Sequence, residues 1–150
     1  MGMKIAIGCD HGALALKETV KKVVSELGLE ADDLGTFTEE SVDYPDIAEK
    51  VCEKIASGDA VRGVVLCGTG IGISMAATKI RGIRCALGGD VYSARMARAH
   101  NDANVLALGG RVLGPGLAAE IVRAFFTQDF EGGRHARRVG KIMALENNNI

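Results

Sequence analysis

The chain has 150 residues, of which 47% are hydrophobic and 25% charged, with a formal net charge of −1. That balance describes one soluble globular domain with a core of its own, and near-neutrality excludes bulk attraction to nucleic acid or an anionic membrane. An aromatic share of 4% without Trp, and no apolar run of membrane-spanning length, argue against base-stacking platforms and transmembrane helices.

Met1-Gly2-Met3-Lys4 leads straight into Ile5-Ala6-Ile7, which predicts a strand and no signal peptide. From the second methionine, Met1-Gly2 is expected to be an added extension. Lys4 to Gly8 reads as the first strand, ending in Cys9-Asp10-His11-Gly12. Leu16, Val20, Val23, Val24 and Leu27 recur at helical spacing, and Gly28 stops that first helix. Glu30 to Gly35 is a weaker second strand, followed by a polar loop from Thr36 to Tyr44. Pro45 suits the first turn of a second helix, which turns Ile47, Val51 and Ile55 inward and ends near Gly58.

Gly63 to Cys67 is the third strand. It stops at a thiol and a glycine-spaced turn, Gly68-Thr69-Gly70-Ile71-Gly72, before a helix from about Gly72 to Lys79. Ile83 to Leu87 is the fourth strand, and Asp90 is a plausible N-cap for a helix ending near His100. Asn104 to Leu108, Pro115 to Thr127 and Arg134 to Glu146 complete the series as strand, helix and helix, with the tail 147–150 expected to fray. Five apolar strands alternating with helices predict a three-layer α/β/α doubly wound fold on a parallel sheet, with the first and third strands adjacent where the winding reverses. Ligands bind such sheets off the carboxyl ends of the strands at that reversal, where the Cys9 and Cys67 loops meet. The pattern leaves the order of the last two strands open.

The four cysteines, at 9, 52, 67 and 85, form no C-x-x-C pair, so reduced thiols in a cytoplasmic protein are expected. The three histidines show no metal-like pair spacing, and neither metal nor cofactor is expected. The glycine turn also fails three familiar templates at Ile73. A dinucleotide fingerprint needs glycine there, and a Walker loop needs a lysine that Ile73-Ser74 does not supply. A cysteine phosphatase needs an arginine at that position to hold the phosphoryl group. A thiol beside several unobstructed N–H groups and the Thr69 hydroxyl remains, a set suited to a developing oxyanion.

Gly8 to Gly12 (G-C-D-H-G), Val42 to Pro45 (V-D-Y-P) and Cys67 to Ser74 (C-G-T-G-I-G-I-S) resemble the ribose-5-phosphate isomerase B family. So do His100 to Asn104 (H-N-D-A-N), Gly109 to Arg111 (G-G-R) and Glu131 to Arg138 (E-G-G-R-H-x-x-R). The motifs run in the family's order over essentially the whole chain. The resemblance implies a metal-free aldose–ketose isomerisation of a sugar phosphate through a cis-enediolate. Cys67 is then the base, because Ile73 stands in the region where other members carry a glutamate. It also implies a homodimer or dimer of dimers with active sites at the subunit interface, a C-terminal helix used in dimerisation, and arginines of the last segment reaching the partner's site.

On that resemblance the catalytic set is Cys67, His100, Thr69 and Asp10. Cys67 moves the proton between C2 and C1, the N–H groups of Gly68, Thr69, Gly70, Ile71 and Gly72 hold the enediolate, and Thr69 relays a proton between the substrate oxygens. His100 assists ring opening with Asp10, while Tyr44 and Asn101 contact hydroxyls or the ring oxygen. His11, Arg111, Arg134, His135 and Arg138 meet the phosphate. Each has a plainer reading: Cys67 as a small buried hydrophobe, His100 as a helix C-cap, Asp10 as an N-cap, Tyr44 and Asn101 as turn residues, the arginines as a solvated basic face. Ribose 5-phosphate is the leading substrate. A six-carbon sugar phosphate and a non-catalytic phosphosugar-binding domain stand as alternatives.

Overall fold

The computed structural model describes residues 2–148, and of Asn148 only the backbone. Strands form where apolar residues run together, except the edge strand over Glu30–Asp33, which is mainly polar and is held by its pairing with the first strand. β1 spans Lys4–Cys9, β2 Glu30–Asp33, β3 Arg62–Cys67, β4 Cys85–Leu87 and β5 Val105–Gly109. Helices alternate with them: α1 Leu14–Glu26, α2 Tyr44–Ala56, α3 Ile71–Thr78, α4 Val91–Ala99, α5 Pro115–Thr127 and α6 Arg134–Ala144, the last continued by a 3-10 turn over Leu145–Asn148. Proline opens α2 and α5, where its missing N–H costs nothing. The Asp90 carboxylate accepts the Ser93 amide at 2.6 Å and caps α4, as its position predicts.

The sheet is parallel throughout, in the order β2-β1-β3-β5-β4. Strands one and three are adjacent as expected, and β5 lies inside while β4 is an edge. Burial explains that order. All of Val105–Gly109 is buried, whereas Cys85–Leu87 is half-buried to exposed. The longer apolar strand, five residues against three, takes the interior position.

Side chains alternate across the sheet with period two. Ile5, Ile7, Cys9, Val64, Leu66, Leu106 and Leu108 face α1, α4 and α5. Ala6, Val65, Cys67, Val105 and Ala107 face α2 and α3. The helices therefore cover both faces, and right-handed crossovers account for the assignment: connections running toward β2, or from β4 back to β5, use one face, and the opposite direction uses the other. Cys9 and Cys67 consequently point to opposite sides of the sheet.

The differences from the sequence reading lie at element ends. Strand four starts at Cys85 rather than Ile83, and strand two ends at Asp33, because Asp33 and Lys17 redirect the chain there. The Lys17 ammonium, 1% exposed, donates to Asp33 Oδ1 at 2.9 Å and to the Thr36 carbonyl at 2.6 Å. The tail is also more ordered than expected as far as it is described. Glu146 accepts the Gly82 amide at 3.0 Å and Asn147 accepts from Arg81 at 3.3 Å. Met1, Asn149 and Ile150 lie outside the described residues.

Candidate active site

β3 delivers Cys67 to the carboxyl edge of the sheet beside the β1–β3 reversal. The turn that follows must reverse sharply into α3, and Gly70 does this with φ +80° as the helix N-cap. That geometry aims the Gly70 amide at the thiol, donating to Sγ at 3.1 Å. Cys67 is 5% exposed. The Thr69 hydroxyl oxygen accepts the Ile71 amide at 3.2 Å, closing the first turn of α3. Two of the five expected donors are thus engaged by the chain itself. Among the described residues, the amides of Gly68, Thr69 and Gly72 find no acceptor. They lie where the α3 dipole favours negative charge.

Three neighbours wall this loop. The β5–α5 connection ties to it through Gly110 N–H to Cys67 O at 2.8 Å and Arg111 N–H to Gly68 O at 2.9 Å. The Arg111 side chain lies over Gly68, its Nη1 3.3 Å from where a Cβ there would stand. The loop after β1 approaches from the other side. Asp10, 6% exposed, accepts the Gly12 amide at 2.8 Å, and Gly12 packs against Gly68. His11 accepts the Val42 amide on Nδ1 at 3.2 Å, which leaves its proton on Nε2 as a donor. Tyr44, opening α2, lies so close to Gly72 that a Cβ there would be 2.6 Å from its ring.

The remaining predicted residues are elsewhere. Gly63 pairs with Val105 at the start of β5, and Cys67 pairs with Gly109 at its end. His100 caps α4 ahead of β5, so it stands at the amino edge of the sheet, on the order of 13 Å or more along the strands from Cys67. Arg62, at the foot of β3, feels the charges of Arg98 and Asp102, which fixes this neighbourhood to the same edge. Asn101 lines a cavity of about 500 Å3 between β4 and α6. His135 stacks on His100, ring centroids 4.1 Å apart and planes within 6°. Arg134 and Arg138 are exposed on α6 beside it.

The expected site residues therefore fall into two separate groups in one chain. Cys67, Thr69, Asp10, His11, Tyr44 and Arg111 share the carboxyl edge; His100, Asn101, Arg134, His135 and Arg138 share the amino edge. In a parallel sheet the loops after strands lie at the carboxyl edge and the loops after helices at the amino edge, so the division follows from the order of elements.

Electrostatics separates the thiols. Burial pushes Cys9 up to about 11, and Cys52 and Cys85 up to about 12. Cys9 has no place in the pocket, being fully buried on the opposite face of the sheet. Burial, followed by the neighbouring His100 and Arg134, holds the His135 imidazole below its ordinary value. Glu131 was quoted in a motif without a role; its two carboxylate oxygens lie 3.6 Å from His100 Nε2 and 3.6 Å from His135 Nε2. Its spacing of four from His135 was the available signal. Lys17 was missed because a lysine on a helix face reads as solvated.

A parallel doubly wound sheet with a thiol, an amide-rich turn and a guanidinium at its switch point is an α/β arrangement suited to a small anionic ligand. The family model described as Ribose/Galactose Isomerase matches residues 5–142. Ribose-5-phosphate isomerase B of Escherichia coli K12 is 47% identical over 95% of this chain and 96% of its own length. A D-erythrulose-4-phosphate isomerase of Pectobacterium atrosepticum is 45% identical over 93% of both chains. Among solved structures, ribose-5-phosphate isomerase B of Clostridium thermocellum superposes with a TM-score of 0.96 at 52% identity, covering 99% of this chain and 100% of that one. The chain belongs to the ribose/galactose isomerase family, and it is an isomerase. Among the described residues, no helix is long and apolar enough to cross a membrane.

Proposed function

We propose that this enzyme interconverts ribose 5-phosphate and ribulose 5-phosphate through an enediolate. The observation that carries the reading is the Cys67 thiol at the switch point, held by the Gly70 amide at 3.1 Å beside unengaged amides. As thiolate, Cys67 removes the proton from C2 of the open aldose and returns it to C1, giving the ketose. The amides of Gly68, Thr69 and Gly72 stabilise the oxyanion that forms between these steps, and loss of one such donor typically costs about 3–4 kcal/mol of transition-state stabilisation. Thr69 relays the hydroxyl proton between O1 and O2. These are proton transfers alone and use neither metal nor cofactor.

Ring opening and phosphate binding fall to the two edges together. Asp10 and Tyr44 hold ring oxygens, and Arg111 with the Nε2–H of His11 meets the phosphate. His100, Asn101, Arg134, His135 and Arg138 act on a substrate seated on a second copy of the chain, so the working unit is a symmetric homodimer. Support comes from the separation of the half-sites, which no side-chain rotation spans. The half-exposed apolar residues Ile142 and Leu145 on the α6 arm fit a covered surface. Four free cysteines support a reducing, cytoplasmic setting.

Complementation tests the reading. Cys67→Ala and His100→Ala are each expected to be inactive, and refolding the two together should restore about a quarter of wild-type turnover through mixed dimers. No recovery in verified mixed dimers overturns the shared site. Substrate choice is tested by comparing kcat/KM for ribose 5-phosphate, galactose 6-phosphate and D-erythrulose 4-phosphate. The family description and the tetrose-phosphate relative make those two the relevant competitors.

A further inference from the structure

We propose that His100, Glu131 and His135 form a binding site for a divalent ion of the zinc class, unrelated to the chemistry of the isomerisation. Their ligand atoms all lie within 4.8 Å of one another. Each histidine Nε2 is 3.6 Å from a different oxygen of Glu131. A tetrahedral ion with bonds of about 2.0–2.1 Å separates its ligand atoms by roughly 3.3–3.4 Å; the Glu131 contacts, on different carboxylate oxygens, are near that spacing, while the widest of the three separations, up to 4.8 Å, closes as one ring turns.

A second, independent observation points to a ligand. His135 is 7% exposed, and its Nε2 is buried with no hydrogen-bond partner. An orphaned ring nitrogen in such a place calls for an occupant. The frame around it is already fixed. The Glu131 amide donates to the Ala99 carbonyl at 2.9 Å, tying the acidic residue to the end of α4, and the His135 amide donates to Gly132 O at 3.0 Å. The parallel rings cannot both point their lone pairs at one ion, so one must turn. His100 is the free member, its side chain 37% exposed against 9% for His135. Imidazole and carboxylate together suit zinc, with water in the fourth position. The Arg134 and Arg138 charges near His135 oppose a dication and keep the site weaker than a structural one.

The site stands on this geometry alone; its effect on turnover rests on the proposed role of His100. A bound ion occupies that imidazole, so zinc should inhibit the isomerase reversibly, and a chelator should restore it. The direct test titrates chelator-stripped protein with Zn2+ in competition with a chromophoric chelator of micromolar affinity. It then records the visible spectrum with Co2+ in place of zinc. One ion per chain is expected, with nitrogen and oxygen ligation, no thiolate charge-transfer band, and a loss of roughly tenfold or more in affinity in Glu131→Ala and in His135→Ala. Absence of competition overturns the proposal. So does binding that survives both variants, or that disappears in Cys67→Ser or Cys85→Ser with a thiolate band. Inhibition is read separately: if zinc binds as expected yet turnover is unchanged, the role of His100 falls and the metal site stands.

Discussion

The Gly70 amide donates to the Cys67 sulfur because Gly70 holds a left-handed conformation that only a residue without Cβ adopts cheaply. A Cβ at position 70 would meet Leu87 Cδ1 at 2.8 Å and the Leu108 carbonyl carbon at 2.9 Å. Gly70→Ala is therefore expected to cost about 1–2 kcal/mol in backbone strain, plus the displacement of β5, and to lower kcat with it. Cys67→Ala should abolish conversion while changing substrate affinity by less than roughly tenfold. Calorimetry and steady-state kinetics check both; full activity in Cys67→Ala removes the base assignment.

Alkylation should find one thiol. Cys9 at about 11 and Cys52 and Cys85 at about 12 carry almost no thiolate near neutral pH. Iodoacetamide at pH 7.5 is expected to give a single adduct on Cys67, slowed by sugar phosphate, with activity lost in step. Peptide mapping by mass spectrometry that puts the first adduct on another cysteine would contradict this.

The contact of Tyr44 with Gly72 shapes the substrate's side of the turn. In Gly72→Ala the new methyl meets the Tyr44 ring at 2.6 Å and drives it outward. Because Tyr44 is 39% exposed and can move, the melting temperature should change little. The KM should rise several-fold, and pairing the change with Tyr44→Ala should add little further loss.

Acid stability should depend on Asp33. Burial acts to raise its carboxyl, but bonds from Lys17, the Gly35 amide and Lys21 outweigh it and leave it below its ordinary value. A depressed carboxyl contributes stability that is present above the unfolded value, about 3.9, and is lost as pH falls through the folded one. Asp33→Asn should flatten the decline of the melting temperature below pH 4 or so. Lys17→Met, which leaves the carboxylate with Lys21 and the Gly35 amide, should cost about 3 kcal/mol at neutral pH, the lower end for a broken buried pair. Unchanged unfolding curves would refute it.

His135 works in the opposite part of the pH range. Its depressed imidazole is neutral in the fold but charges in the unfolded chain, so its contribution is present above about pH 6.5 and lost below. His135→Phe, which keeps the stack on His100, should reduce the loss of stability between pH 6.5 and 5, measured by denaturant titration. An identical profile in the variant would count against the buried neutral ring.

The sequence by itself determined the alternation of elements, the adjacency of β1 and β3, and the thiol at the switch point. These follow from periodicity, from glycine and proline at element ends, and from crossover handedness, all of which act locally or through one topological rule. Only the tertiary structure decided that β5 lies inside β4 and that Lys17 is buried. It alone brought Glu131 between two stacked histidines. Each of these depends on which surfaces pack together across long stretches of chain, and spacing along the sequence is silent about distance through space.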